Sequence, residues 1–112
     1  MPITLTNDSA TISTTEYFLA SDSTTASYQT TDLVLQAFIH FAAMAAGDSF
    51  EIKVYENVNG QGPLLVWYAL VEGAQANPVV TPSLIVGEGW EISVKKLAGT
   101  NRVVHWSLRK VE

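Results

Sequence analysis

The chain contains no cysteine. That single absence excludes a disulfide framework, a thiolate metal site and a thiol nucleophile. Positive charge is scarce as well: six Lys and Arg stand against eleven Asp and Glu, for a net charge of −5. Binding nucleic acid through phosphate contacts needs the reverse balance, so nucleic acid is not an expected partner. The longest apolar run, AFIHFAAMAAG, is too short to span a bilayer and includes His40, so no membrane is expected either. The opening MPITLTNDSATIST lacks the basic start and apolar centre of a secretion signal, which points to synthesis and folding in the cytoplasm.

Several chemistries lack their motifs. There is no H-x-H or H-E-x-x-H spacing for a metal, no G-x-S-x-G elbow for a nucleophilic serine and no glycine pattern for a phosphate cofactor. His40 and His105 lie inside strand-like segments, out of phase with the apolar positions, as surface histidines would. A pair of catalytic carboxylates would have to flank a cleft. Glu51, Glu56, Glu72, Glu88 and Glu91 instead read as ordinary outward strand or turn residues. Neither a cofactor nor an enzymatic activity is expected.

What the chain has in quantity is apolar and β-favouring residues: 47% are hydrophobic and only 15% charged, the balance of a folded protein. At 112 residues it is one domain, 1–112, able to bury a core without disulfides or metals. The Thr- and Ser-rich first third suggests a short strand at Ile3–Leu5, a clearer one over Ala10–Ala20 and a weaker one over Ala26–Thr31. Residues 1–9 are a candidate extended arm. Leu33 to Phe41 alternates like a strand, although Leu35, Phe38, Ile39 and Ala42 also fit a helical stripe; a short helical turn is expected near residues 42–46.

Phe50, Ile52 and Val54 alternate with polar residues, and Asn59-Gly60 signals a tight hairpin. LLVWYALV then follows, apolar on both faces, so it is either central or covered by something else. NPVVTPSLIV carries Pro78 and Pro82, which belong at a sheet edge or bend. GWEISVKKLAGTNRVVHWSLRK, residues 89–110, reads as a closing hairpin with Trp90, Ile92 and Val94 on one inward face and Val104, Trp106 and Leu108 on another. Its loop is Ala98–Thr100 or Ala98–Arg102, and the longer version sets Glu91 opposite Arg109. About eight strands with regular turns predict an all-β, antiparallel two-sheet sandwich, jelly-roll-like.

Charge is unevenly placed along the chain. Residues 1–94 hold one basic and ten acidic residues, net −9, whereas residues 95–112 hold five basic and one acidic, net +4. Two explanations stand: the basic segment lies beside acidic strands of its own sheet, or it contacts another copy or a partner. Trp67, Tyr55 and Tyr68 gather around the Asn59-Gly60 turn, where aromatics serve a subunit contact, the core or a sugar site.

LQAFIHFAAMAAGDSFEIKVYENVNG together with GWEISVKKLAGTNRVVHWSLRKV resembles the small jelly-roll virion proteins of tailed bacteriophages, over roughly residues 33–112. The resemblance implies a capsid decoration, or cement, protein that binds the outer head surface and staples the shell. Its location would be the virion, its partner the major capsid protein or another virion protein, and its own assembly a homo-oligomer with a trimer favoured. A tail or fibre protein and a carbohydrate-binding module are the alternatives. Leu65, Trp67 and Val71 on one side of the apolar strand, with Lys95, Arg102 and Arg109 in the basic segment, are the candidate contact residues.

Overall fold

The computed structural model describes residues 3–112, so the first two residues of the candidate arm lie outside it. Nine strands follow one another: β1 (Thr4–Ile12), β2 (Tyr17–Phe18), β3 (Leu33–His40), β4 (Ser49–Val58), β5 (Gln61–Glu72), β6 (Val79–Val80), β7 (Leu84–Val86), β8 (Glu91–Ala98) and β9 (Arg102–Val111). They form two antiparallel sheets, one in the order β1-β9-β3-β6 with β7 also on β3, the other in the order β2-β8-β4-β5. β6 and β7 meet different stretches of β3 and act as one broken edge strand. Counted that way the molecule has eight strands, and they pair as nested partners: β1 with β9, β2 with β8, β3 with β6/β7, β4 with β5. This is jelly-roll order.

Period-two alternation builds each sheet. In β3, Leu33, Leu35, Ala37 and Ile39 are buried while Val34, Gln36, Phe38 and His40 are half-buried. The helical stripe in that segment loses to strand pairing because both edges of β3 find ladders, β9 on one side and β6/β7 on the other. Phe50, Ile52 and Val54 of β4 supply the facing layer, and Phe41 and Phe50 meet at 5.8 Å between ring centroids. The expected helical turn does not form. Met44 N–H donates to Phe41 O and Asp48 N–H to Ala45 O, giving two successive turns. The eight residues between β3 and β4 are too few to sustain a helix, and Met44 is held in the core.

The N-terminal third also differs from its expected division. β1 runs through the proposed arm and pairs with β9 from Thr4 opposite Lys110 to Ile12 opposite Arg102. The strand expected at Ala10–Ala20 breaks at residues 13–16, where the chain changes sheets. It resumes as β2 on β8, with Tyr17 opposite Val94. Of Ala26–Thr31 only a single bridge, Gln29 to Trp90, remains. The proline-bearing segment lies at an edge as expected. Where Pro82 interrupts it, buried Thr81 bridges the gap: its N–H donates to Ala37 O and its hydroxyl accepts from Ala37 N–H.

The largest correction concerns residues 89–110. β8 and β9 do not pair with each other; β8 lies between β2 and β4, and β9 between β1 and β3. The chain crosses from one sheet to the other through residues 99–101, so the two inward triplets face each other across the core. Trp90 and Trp106 are buried, at 1% and 3% exposure, as expected. Glu91 sits opposite Tyr55, and Arg109 opposite Leu5 and Gln36, so the anticipated Glu91–Arg109 pair is absent. Alternation dictates which side of a strand is apolar. It is silent on whether two such strands lie side by side or face to face.

Gly99 makes the crossover possible. It has φ +90°, and a Cβ there would lie 2.1 Å from Asp48 Oδ1 and 2.7 Å from Asp48 Cα. Gly47 has the same φ but open space around it. Replacing Gly47 with Ala should therefore cost the backbone penalty alone, about 1 kcal/mol. Gly99→Ala should cost at least about twice that, because the added methyl also displaces a buried carboxylate. Urea denaturation midpoints of the two variants measure the difference.

Candidate contact surface

The tight turn at Asn59 and Gly60, with φ +51° and +74°, fixes β5 as the neighbour of β4, and β5 ends its sheet as an edge strand. β5 is twelve residues long, and from Gln61 to Val71 it carries no charge. Val54 pairs with Trp67 and Tyr55 with Leu65, so Val66 is an extra, bulged residue. Directly opposed residues share a face. Trp67, Ala69 and Val71 thus follow Val54, Ile52 and Phe50 toward the core, while Tyr68 and Leu70 follow Lys53 and Glu51 outward. The bulge turns Leu65 outward beside Tyr55. Leu65, Trp67 and Val71 are consequently not one face: Val71 is core, Trp67 is half-buried against it and Leu65 is exposed.

The apolar surface that β5 does present comprises Leu64, Leu65, Val66, Tyr68 and Leu70, each 43–51% exposed. Of these, sequence reasoning named Leu65 and missed Leu64, Val66, Tyr68 and Leu70. The signal was there, since the strand reads as apolar on both faces; the bulge that reassigns the faces left none.

The basic residues do not form one patch. Lys95 lies opposite Glu51 on the outer face of the β8–β4–β5 sheet, and Arg109 lies on the outer face of the other sheet, with its guanidinium 3.7 Å from the centre of the Phe38 ring. Arg102 is spent internally: its Nε donates to Asp48 Oδ2 at 2.7 Å. Because β8 and β9 belong to different sheets, a run of positive charge in sequence is divided between opposite sides of the molecule.

Nor do the carboxylates all point to solvent. Glu91 is fully buried: Oε1 accepts the N–H groups of Ala20 and Ile92, and Oε2 meets the Ser21 hydroxyl. Burial pushes its carboxyl above the usual range against the pull of those bonds. Glu51 is nearly buried, taking Tyr68 OH at 3.0 Å and Lys53 Nζ at 2.9 Å. Glu16 accepts from Tyr55 OH at 2.7 Å and from Ser93 OH. Burial, and next the bond to Glu16, raise the Tyr55 phenol to about 12. Glu56 accepts from Gly87 N–H. Asp48 is buried where the sheets meet, accepting from Ala45 N–H, Thr100 N–H and Arg102. The backbone donors first, then Arg102, hold its carboxyl down at about 2. In each case the chain's own donors occupy carboxylate oxygens; Glu51 ties β4 to β5, and the others tie loops to strands.

On the outer face of the β1–β9–β3 sheet, His40 lies directly opposite His105 in an open groove of about 520 Å3 that Asn7, Ser9, Phe38 and Ser107 also line. His40 Nδ1 is buried without a hydrogen-bond partner. Among the described residues no group of three or more His, Asp or Glu is placed to hold a metal. Arg109 covers one face of the Phe38 ring, while Tyr68 stays 46% exposed with its hydroxyl bonded to Glu51.

No family model, curated protein or solved structure matches the chain.

The buried acids give two pH tests of opposite sign. The raised Glu91 value means its contribution is full below the ordinary glutamate range and is lost as pH rises through the folded value. Glu91→Gln, which can mimic the protonated form, should match or exceed the parent in stability above that range, while Glu91→Ala should lose about 2 kcal/mol or more by orphaning buried donors. The lowered Asp48 value works the other way: its contribution is present above the ordinary aspartate range and is lost as pH falls toward about 2. Asp48→Asn should flatten that acid limb. Thermal melts from pH 2 to pH 8 record both effects.

Proposed function

We propose that this protein is a structural component of a tailed-phage virion, in the first place a capsid decoration protein that binds the outer head surface and stabilises the shell. The observation that carries the reading is β5, a long, uncharged, apolar edge strand standing on a frame whose buried carboxylates are internally satisfied. A monomer that had no partner would not keep such a strand bare. Jelly-roll strand order fits the motifs over residues 33–112 that resemble virion proteins, although a fold alone assigns no role. The proposed partners are the major capsid protein or another virion protein, and further copies of the chain. The carboxylates anchor loops, which suits a scaffold role.

The test is immunogold labelling of phage particles recovered from cells that carry the gene, using antibody raised to the purified chain. Label over the head is the expected result. Label confined to tail or fibre would move the protein to that alternative location, and unlabelled virions would overturn the virion reading.

A further inference from the structure

The four sheet edges are not equally protected. β2 is two residues long. The β6/β7 edge is broken at Thr81 and Pro82 and preceded by Pro78. β1 is polar along most of its length and carries Asp8. Short strands, prolines and charges are the ordinary devices that stop edges from pairing with other chains. β5 has Pro63 and one register irregularity near its start and a second at Val66, and from Trp67 to Val71 nothing blocks pairing.

We propose that the free edge of β5 pairs with the β5 edge of a second copy of this chain, antiparallel and about a two-fold axis, joining two four-stranded sheets into one. Three observations select a second copy as the occupant. First, the chain carries −5 overall, so copies repel except where charge is absent, and β5 is uncharged from Gln61 to Val71. Second, the strand complements itself. A two-fold at Ala69, beyond the bulge, sets Tyr68 against Leu70 on the outer face and Trp67 against Val71 on the inner one, apolar on apolar, and it places Glu72 opposite Val66 so that no like charges meet. Third, the edge has apolar surface to cover. Leu64, Leu65, Val66, Tyr68 and Leu70 are each 43–51% exposed, and pairing removes part of that surface from water. Strand hydrogen bonds add to that.

This pairing closes in twos. Each copy brings one such edge and each ladder uses one edge from each partner, so the geometry yields a dimer where the phage resemblance favours a trimer. It stands independently of where the protein resides, and the virion labelling test can fail without touching it.

The experiment is sedimentation equilibrium of the intact chain and two variants, at low and high salt, with amide hydrogen exchange on the same samples. The 12.2 kDa chain should sediment with the mass of two copies, insensitive to salt, and β5 amides should be protected. Leu70→Lys alters an outward, half-exposed side chain and should give a folded monomer, or a dimer at least tenfold weaker, with faster exchange confined to β5. Ile85→Lys, on the broken edge at 87% exposure, should leave the dimer intact. A monomer at every concentration, a mass of three copies, or a dimer that Leu70→Lys leaves unchanged would overturn the proposal.

Discussion

Everything else in this molecule depends on one apolar layer pressed between two sheets. Leu35, Ala37, Ile39, Val104, Trp106 and Leu108 come from one side, and Phe50, Ile52, Val54, Ile92 and Val94 from the other. Neither sheet has a second apolar layer to rely on. Each strand buries one face against the opposing sheet, and the outer faces are free to hold polar groups. The hydrophobic stabilisation is collective, so the strands cannot be ordered one at a time.

Polar side chains then close the places where that layer ends. Asp48 joins the turns after β3 to the β8–β9 crossover through Ala45, Thr100 and Arg102, and its carbonyl accepts Gly73 N–H beyond the end of β5. Glu91 fills the corresponding role near the other end of β8, tying the loop after β2 to its own strand. Buried carboxylates of this kind add little net stability, yet removing their partners is costly. They act as positional constraints, fixing which loop meets which strand. The same constraints leave β5 as the only long apolar edge among the described residues, and that is what gives the surface its functional interest.

A good deal of this was legible in the residues. Leu33 to Phe41 and Phe50 to Val54 alternate cleanly, Asn59-Gly60 marks its turn and Pro82 marks an edge. Each of these is a local signal: a periodicity, a positive φ or a missing N–H. The candidate site was legible only in part. The apolar strand reads as needing cover, but Val66 bulges out and turns Leu65 away from Trp67 and Val71, so the expected single face is split. Glu91 was read as outward by its phase, and so it is. It is buried all the same because residues 20–27 fold over it.

By itself, then, the sequence determined the class of fold, the inward faces and the turns, because those follow from the two-residue repeat of a strand and from the φ preferences of single residues. Only the tertiary structure decided that β8 and β9 lie in opposite sheets, that the basic run is split between two surfaces and that β5 is an edge. Those are choices of partner. Two apolar faces are satisfied equally by meeting side by side or face to face, and the decision falls to contacts between residues far apart in the chain, such as Asp48 with Arg102.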